Sequence, residues 1–210
     1  MPNSLIEVKD LCISRGGNSV IEELNWELTK GPPLAIVGES GSGKTTLLMA
    51  LLGLIPHQKG SIRIGDKALV QLDRKERCQK LGLVFQDFQL FPHLTVTENL
   101  KLAPTLLGKA TNRASEWLTQ LNIGTLGDRY PHQLSGGQKQ RAAIARSLML
   151  EPDILFFDEP SSALDAVSTE ALGDVIKMLN HKTQIVIVSH DWPFIESCCP
   201  RTVTMKDGHF

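Results

Sequence analysis

The chain has 210 residues, 41% of them hydrophobic and 21% charged, with a formal net charge of -1. That length suits one domain, or a core with an inserted subdomain, and buries enough surface to need no disulfide or metal staple. Near-neutral charge gives no electrostatic drive towards nucleic acid or anionic lipid, so nucleic acid is not expected as a partner, and the ordinary apolar content argues against disorder. The four cysteines, Cys12, Cys78, Cys198 and Cys199, show no CxxC spacing and read as reduced thiols; the adjacent pair is poorly placed to bridge itself. No cationic start followed by an apolar core stands near Met1, and the apolar run Leu47 to Ile55 is broken by Pro56. Neither a signal peptide nor a membrane span is therefore expected, and any membrane role must come through a partner.

In chain order, residues 5–9 and 20–28 read as half-buried strands, with Leu24, Trp26 and Leu28 alternating with Asn25 and Glu27. Gly16-Gly17-Asn18 is a turn between them. Leu34 to Val37 is a short, wholly apolar strand of the kind found in a buried parallel sheet, and a helix is expected from Thr45 to Leu54. Residues 61–64 and 81–85 are further strands. Residues 153–157 and 184–189 are two more buried ones, joined by a helix from Ser168 to Leu179. Such alternation predicts a parallel sheet covered by helices. Residues 89–150 lack a strand pattern but carry the helix-opening boxes Thr95-Val96-Thr97-Glu98 and Ser135-Gly136-Gly137-Gln138. The expected division is an α/β core from residues 1–88 and 151–210 with a helical subdomain, 89–150, inserted into it.

Gly38-Glu39-Ser40-Gly41-Ser42-Gly43-Lys44-Thr45 fits G-x-x-x-x-G-K-[ST], between a strand and a helix as that motif requires. Glycines let consecutive backbone N–H groups turn inward around an anion, and the helix that follows adds its positive end. Lys44 is suited to neutralise β/γ-phosphate charge and the Thr45 hydroxyl to ligate magnesium; Thr46 completes the phosphate-binding stretch. Asp158 ends the apolar run Ile154 to Phe157, at the carboxyl end of a strand, where open α/β sheets bind ligands. It is expected to hold the metal, and Glu159 to polarise the attacking water as general base. His190 and Gln86 end two other strands and face the same crevice. His190 could touch the γ-phosphate and orient Glu159 or the water, and Gln86 could touch the metal or the water.

Leu134-Ser135-Gly136-Gly137-Gln138 is a loop running into a helix start, with Ser135 as N-cap. This stretch resembles the LSGGQ signature of the ATP-binding-cassette (ABC) family. The likeness extends over nearly the whole chain in the family's order: the loop at 38–45, Gln86, residues 134–138, Asp158-Glu159, Ser162-Ala163-Leu164-Asp165, then His190. The resemblance implies an α/β P-loop NTPase (RecA-like) core with N-terminal antiparallel strands and the inserted helical subdomain, and an ATPase acting with ATP and Mg2+. It implies a head-to-tail pair in which Ser135, Gly136, Gly137 and Gln138 of one copy meet the ATP held by the other, with Asp165 at the seam. It also implies a permease docking along Gln86 to Leu100, where Phe88, Leu90, Phe91 and Leu94 suit an apolar groove, core packing accounting for some of them equally well. Within the family, residues 84–95, 145–152 and 157–165 look most like the ATPases of polar amino-acid importers. That reading brings an extracytoplasmic solute-binding protein and a peripheral place on the inner face of the cell membrane.

The chain departs from the family at three places. Arg15 stands where an aromatic residue usually stacks on adenine; its planar guanidinium can do the same. Ala166 replaces a frequent proline, with little consequence expected. The sequence stops at Phe210, just past the Lys206-Asp207-Gly208 turn, which leaves no room for a C-terminal effector domain. The competing readings are a mechanical ATPase on DNA or ribosomes, a scaffold or motor of the export, lipoprotein-sorting or cell-division type, and a P-loop kinase outside the family. The absence of heptads and CxxC pairs, the single cassette, the intact Lys44, Glu159 and His190, and the LSGGQ stretch weigh against them in turn.

Overall fold

The computed structural model describes residues 4–210. Strands β1 (Ser4–Arg15) and β2 (Asn18–Thr29) form a hairpin, and β3 (Leu34–Val37) runs into α1 (Lys44–Leu51). Strands β4 (Lys59–Ile64) and β5 (Lys67–Ala68) follow, then α2 (Arg74–Lys80) and β6 (Leu81–Val84). Three helices come next with no strand between them: α3 (Val96–Leu106), α4 (Ala114–Gln120) and α5 (Gly136–Leu148). The order is completed by β7 (Ile154–Asp158), α6 (Ala166–Leu179), β8 (Gln184–Ser189), α7 (Trp192–Cys198) and β9 (Arg201–Thr204).

The strands make two sheets. One is antiparallel, in the order β2-β1-β4-β5; the other is parallel, in the order β6-β7-β8-β3-β9. Side chains of the parallel strands divide by parity, as a period of two demands. Leu34, Ile36, Ile154, Phe156, Val186 and Val188 face α1 and the antiparallel sheet. Ala35, Val37, Leu155, Phe157, Ile185 and Ile187 face the opposite way, into a cluster shared with Val96, Trp117, Ile144, Ile176 and Phe194 of the helices. Phe156 and Phe157 are fully buried on opposite faces, each worth about 2–3 kcal/mol of apolar transfer. The helices between β6 and β7 thus share one core with a face of the sheet. Among the described residues no helix is long and apolar enough to cross a membrane.

Strand β1 outruns the expected 5–9 because it changes phase part-way, whereas β2 lies within two residues of the expected 20–28. Ile6 and Val8 are buried at even positions, Leu11 and Ile13 at odd ones. Between them Asp10 takes φ 48°, and two residues of β1 oppose one of β4 in the register Lys9↔Ser61, Cys12↔Lys59. That is a β-bulge, which turns the apolar set back to the same face. Glu23, at φ 46°, does the same between Ile21 and Leu24 in β2. Helix α1 stops short of the expected Leu54 because the chain turns left-handed at Gly53, φ 65°. The other expected elements lie within one or two residues of those observed, Asp158 itself belonging to β7. The Cys198 and Cys199 sulfurs lie 3.8 Å apart as free thiols, Cys198 held below the usual thiol range by the Cys199 contact.

Candidate functional site

Because β3, β6, β7 and β8 are parallel, their carboxyl ends meet along one sheet edge. The register Val37↔Ser189 and Asp158↔Val188 sets the ends of β3, β8 and β7 side by side. The 38–45 loop, Gln86, Asp158-Glu159 and His190 all leave the sheet there.

Helix α1, like α4, lacks the side-chain cap that the other five helices carry at their start. Asp73, Thr95, Ser135, Asp165 and Asp191 accept first-turn N–H groups of α2, α3, α5, α6 and α7. The N-cap of α1 is Gly43, at φ 103°, which has no side chain to do so. Its first-turn N–H groups have no intrahelical partner and suit an anion. Over them lies Lys44, 6% exposed, whose ammonium donates to the Gly38 and Glu39 carbonyls, both at 2.8 Å, and to Ser42 Oγ at 3.5 Å. Gly38 admits no larger residue, since a Cβ there would lie 2.2 Å from the Met205 carbonyl at the end of β9. The Gly208 N–H donates to the Ser42 carbonyl at 3.1 Å, so the last turn braces the loop. A cavity of 670 Å3 opens over Gly38 to Ser42, walled by His190, Trp192 and Lys206.

Thr45 Oγ1 donates to Asp158 Oδ1 at 3.2 Å. Burial holds the Asp158 carboxyl above the ordinary carboxylate range, with the Thr45 bond offsetting part of the rise and the Glu159 charge adding to it. Among the described residues Asp158 makes no ion pair, though it is 6% exposed. A hydroxyl and a buried carboxylate with no ion-pair partner among the described residues, both hard oxygen donors, fit a magnesium ion held from Thr45 and Asp158. Gln86 is exposed beside them and lines a smaller cavity with Asp158 and Ser162.

The raised value carries a sign. A carboxyl with a higher pKa folded than unfolded binds its proton more tightly in the folded state. Its ionisation therefore opposes folding above the unfolded value of about 3.9, and the penalty fades as pH falls through the folded pKa. Asp158→Asn is expected to raise the melting temperature at pH 7 by about 2–4 °C in the absence of magnesium and nucleotide. The gain should shrink in acid, and ATPase activity should be lost; differential scanning calorimetry from pH 7 to 4 checks the first part.

Glu159 faces His190 Nδ1 at 2.9 Å through Oε1, and accepts the Ser189 hydroxyl at 3.0 Å and the His190 N–H at 3.3 Å through Oε2. Ser189, Asp191 and Trp192 were not among the residues singled out from sequence. The only signal for Ser189 is a polar residue ending an apolar strand.

A second group forms apart from this one. Ser135 Oγ accepts the Gln138 N–H at 3.3 Å, and Gln138 Oε1 accepts the Ser135 N–H at 3.0 Å. Gly136 sits against the Ala163 carbonyl, and a Cβ on Gly137 would lie 2.6 Å from Ser168 Oγ. Asp165 caps α6 through the Ser168 N–H at 2.8 Å and Ser168 Oγ at 3.1 Å. Among the described residues no hydrogen bond joins Ser135, Gly137 or Asp165 to the phosphate loop. Arg15 is exposed at the tip of the β1–β2 hairpin and among the described residues takes no ion pair.

A third feature is an apolar cavity of 660 Å3 between β6, α3 and the loop before α3, lined by Leu83, Phe85, Leu90, Phe91, Leu102 and Leu106. Leu90 and Phe91 line this cavity and Phe88 and Leu94 do not; Phe88 and Leu90 both pack against the core. Phe88 and Gln89 are both left-handed, at φ 63° and 47°. Arg146, missed from sequence, holds them by donating to both carbonyls. Asn99, fully buried, pins the rest of the loop, with its amide on Phe91, Leu94 and Thr95 carbonyls and its oxygen on the Phe91 N–H.

Comparison with known proteins places these features. The chain is 40% identical to the L-cystine transport system ATP-binding protein TcyN of Escherichia coli, over 98% of this chain and 88% of that protein. It is 36% identical to the glutamate/aspartate import ATP-binding protein GltL of the same species, over 97% and 88%. It is also 40% identical to the bacitracin export ATP-binding protein BceA of Halalkalibacterium halodurans, over 90% and 78%. Among solved structures, the dimeric ATP-binding cassette MJ0796 in a post-hydrolysis state with ADP and Pi superposes with a TM-score of 0.85 at 32% identity, covering 97% of this chain and 95% of that one. The sequence model of the ABC transporter family matches residues 21–162, and the chain belongs to that family as one of its ATPases.

Proposed function

We propose that the chain is the ATP-hydrolysing subunit of a membrane transporter that imports polar amino acids. One observation carries the mechanical part: the chemistry is split. Loop, metal ligands and base form one cluster, while the N-terminus of α5, with Ser135 exposed, forms another that among the described residues shares no hydrogen bond with the phosphate loop. A second copy, turned head to tail, brings its Ser135, Gly136, Gly137 and Gln138 to the triphosphate held by Lys44 and residues 38–46. Asp165 lies at that seam, and Arg15 stacks on the base. Thr45 and Asp158, with Gln86 nearby, would hold magnesium, whose charge would there offset that of the phosphates. Glu159 accepts the proton of the attacking water and His190 holds the carboxylate towards it. Closure then follows nucleotide state, because only the γ-phosphate contacts both copies.

The apolar cavity beside Leu90, Phe91 and Leu102 receives a helix of the permease, which keeps the chain on the inner face of the membrane. Residues 89–150 act as the unit that carries the signature and supplies one wall of this groove, the other coming from β6 and Phe85. The import reading draws on the names of TcyN and GltL; the similarity to BceA favours an exporter as the second reading. Vesicles reconstituted with the chain and with the membrane subunits and solute-binding protein encoded beside it test the two. With ATP enclosed on the side of this chain, uptake of labelled glutamate, aspartate, glutamine or cystine is expected. Outward movement of a preloaded peptide, with no uptake of any amino acid, overturns import.

A further inference from the structure

Glu159 owes its orientation to the end of β8. Its backbone leaves β7 in the left-handed region, at φ 44°, a conformation costing a non-glycine residue about 1–2 kcal/mol. Its N–H donates to the Val188 carbonyl at 2.8 Å. The turn sends the side chain across to the neighbouring strand, where Ser189 and His190 meet it. His190 is the less rigid of the two: its side chain is 66% exposed and lies beyond the strand, while the Glu159 side chain is 14% exposed. Ser189 is fully buried and is the last residue of β8, hydrogen-bonded within the sheet.

The hydrogen of the Ser189 hydroxyl has one destination. Its Oγ accepts the Asp191 N–H at 3.1 Å. A hydroxyl donates only once, and no solvent reaches this one, so its proton is committed to Glu159 Oε2. Asp191 is itself fixed, capping α7 through the Phe194 N–H at 3.2 Å and accepting the Ser161 hydroxyl at 2.7 Å. We propose that Ser189 is a positioning residue for ATP hydrolysis. It acts through Glu159, holding Oε2 on the rigid strand so that the rest of the carboxylate stays turned to the crevice whatever His190 does. The inference rests on the reading of Glu159 as general base.

The test is a double-mutant cycle on the whole chain: steady-state ATPase of Ser189→Ala, Ser189→Thr, Glu159→Ala and the Ser189→Ala/Glu159→Ala pair, with melting temperatures alongside. Losing a hydrogen bond to a charged group predicts a kcat for Ser189→Ala lower by about 10- to 30-fold, with KM for ATP within about twofold. Threonine keeps the hydroxyl and suits a strand, so Ser189→Thr should restore kcat to within about threefold. On the Glu159→Ala background there is no carboxylate to hold, and Ser189→Ala should change the residual rate by less than about twofold. An equal loss on both backgrounds, as a merely structural serine would give, overturns the proposal, and so does wild-type kcat in Ser189→Ala. If Glu159→Ala itself leaves kcat unchanged, the general-base reading falls and the proposal with it. A large loss in Glu159→Ala beside normal turnover in Ser189→Ala removes the proposal alone.

Discussion

Glu159→Gln is expected to lower ATP turnover by about 10²–10⁴-fold while leaving ATP affinity within about threefold. Glutamine keeps the volume and an acceptor oxygen for Ser189 and His190, so the turn at the end of β7 survives; only proton acceptance is lost. The nucleotide should then persist uncleaved between two copies. Phosphate release gives the rate, and size exclusion with magnesium and ATP should move the variant, but not the parent, from monomer to dimer. A parental rate in Glu159→Gln removes the general base from Glu159.

Ser135→Asp is expected to lower turnover by at least about 10²-fold with little change in fold stability or in the affinity of the single chain for ATP. Aspartate caps a helix as well as serine does, and its charge suits the N-terminus, so the exchange with Gln138 is kept and stability should stay within about 0.5 kcal/mol. On the proposed head-to-tail pairing, a negative charge would then face the partner's γ-phosphate. Nucleotide titration by fluorescence measures binding to one copy, and phosphate release measures turnover. Equal loss of both would contradict the division of labour between the phosphate loop and α5.

The parts legible in the sequence were those in which one residue type does one local task. Glycines and Lys44 mark the phosphate loop, apolar runs mark β3, β7 and β8, and the capping boxes mark α3 and α5. Asp158, Glu159 and His190 could be found because they end apolar strands. Less legible was whatever depends on a partner far along the chain. The bulge at Asp10 reverses the alternation of β1, so a fixed period of two loses that strand half-way. Helix α2 buries no residue and so offers no apolar stripe to read. Ser189, Asn99 and Arg146 matter through hydrogen bonds to Glu159, to the 91–95 loop and to the Phe88 and Gln89 carbonyls, none of which has a sequence signature. Phe88 packs on the core, the alternative its apolar side chain leaves open from sequence alone.

The bare start of α1 has a thermodynamic corollary. In the other capped helices a side chain completes the first turn and stays with the protein. In α1 that role falls to whatever anion occupies the loop. Ligand and secondary structure are then one linked equilibrium: phosphoanhydride supply sets how firmly this turn is formed, and resistance to unfolding rises with the logarithm of nucleotide concentration. A starved cell would hold not only an idle motor but a softer one.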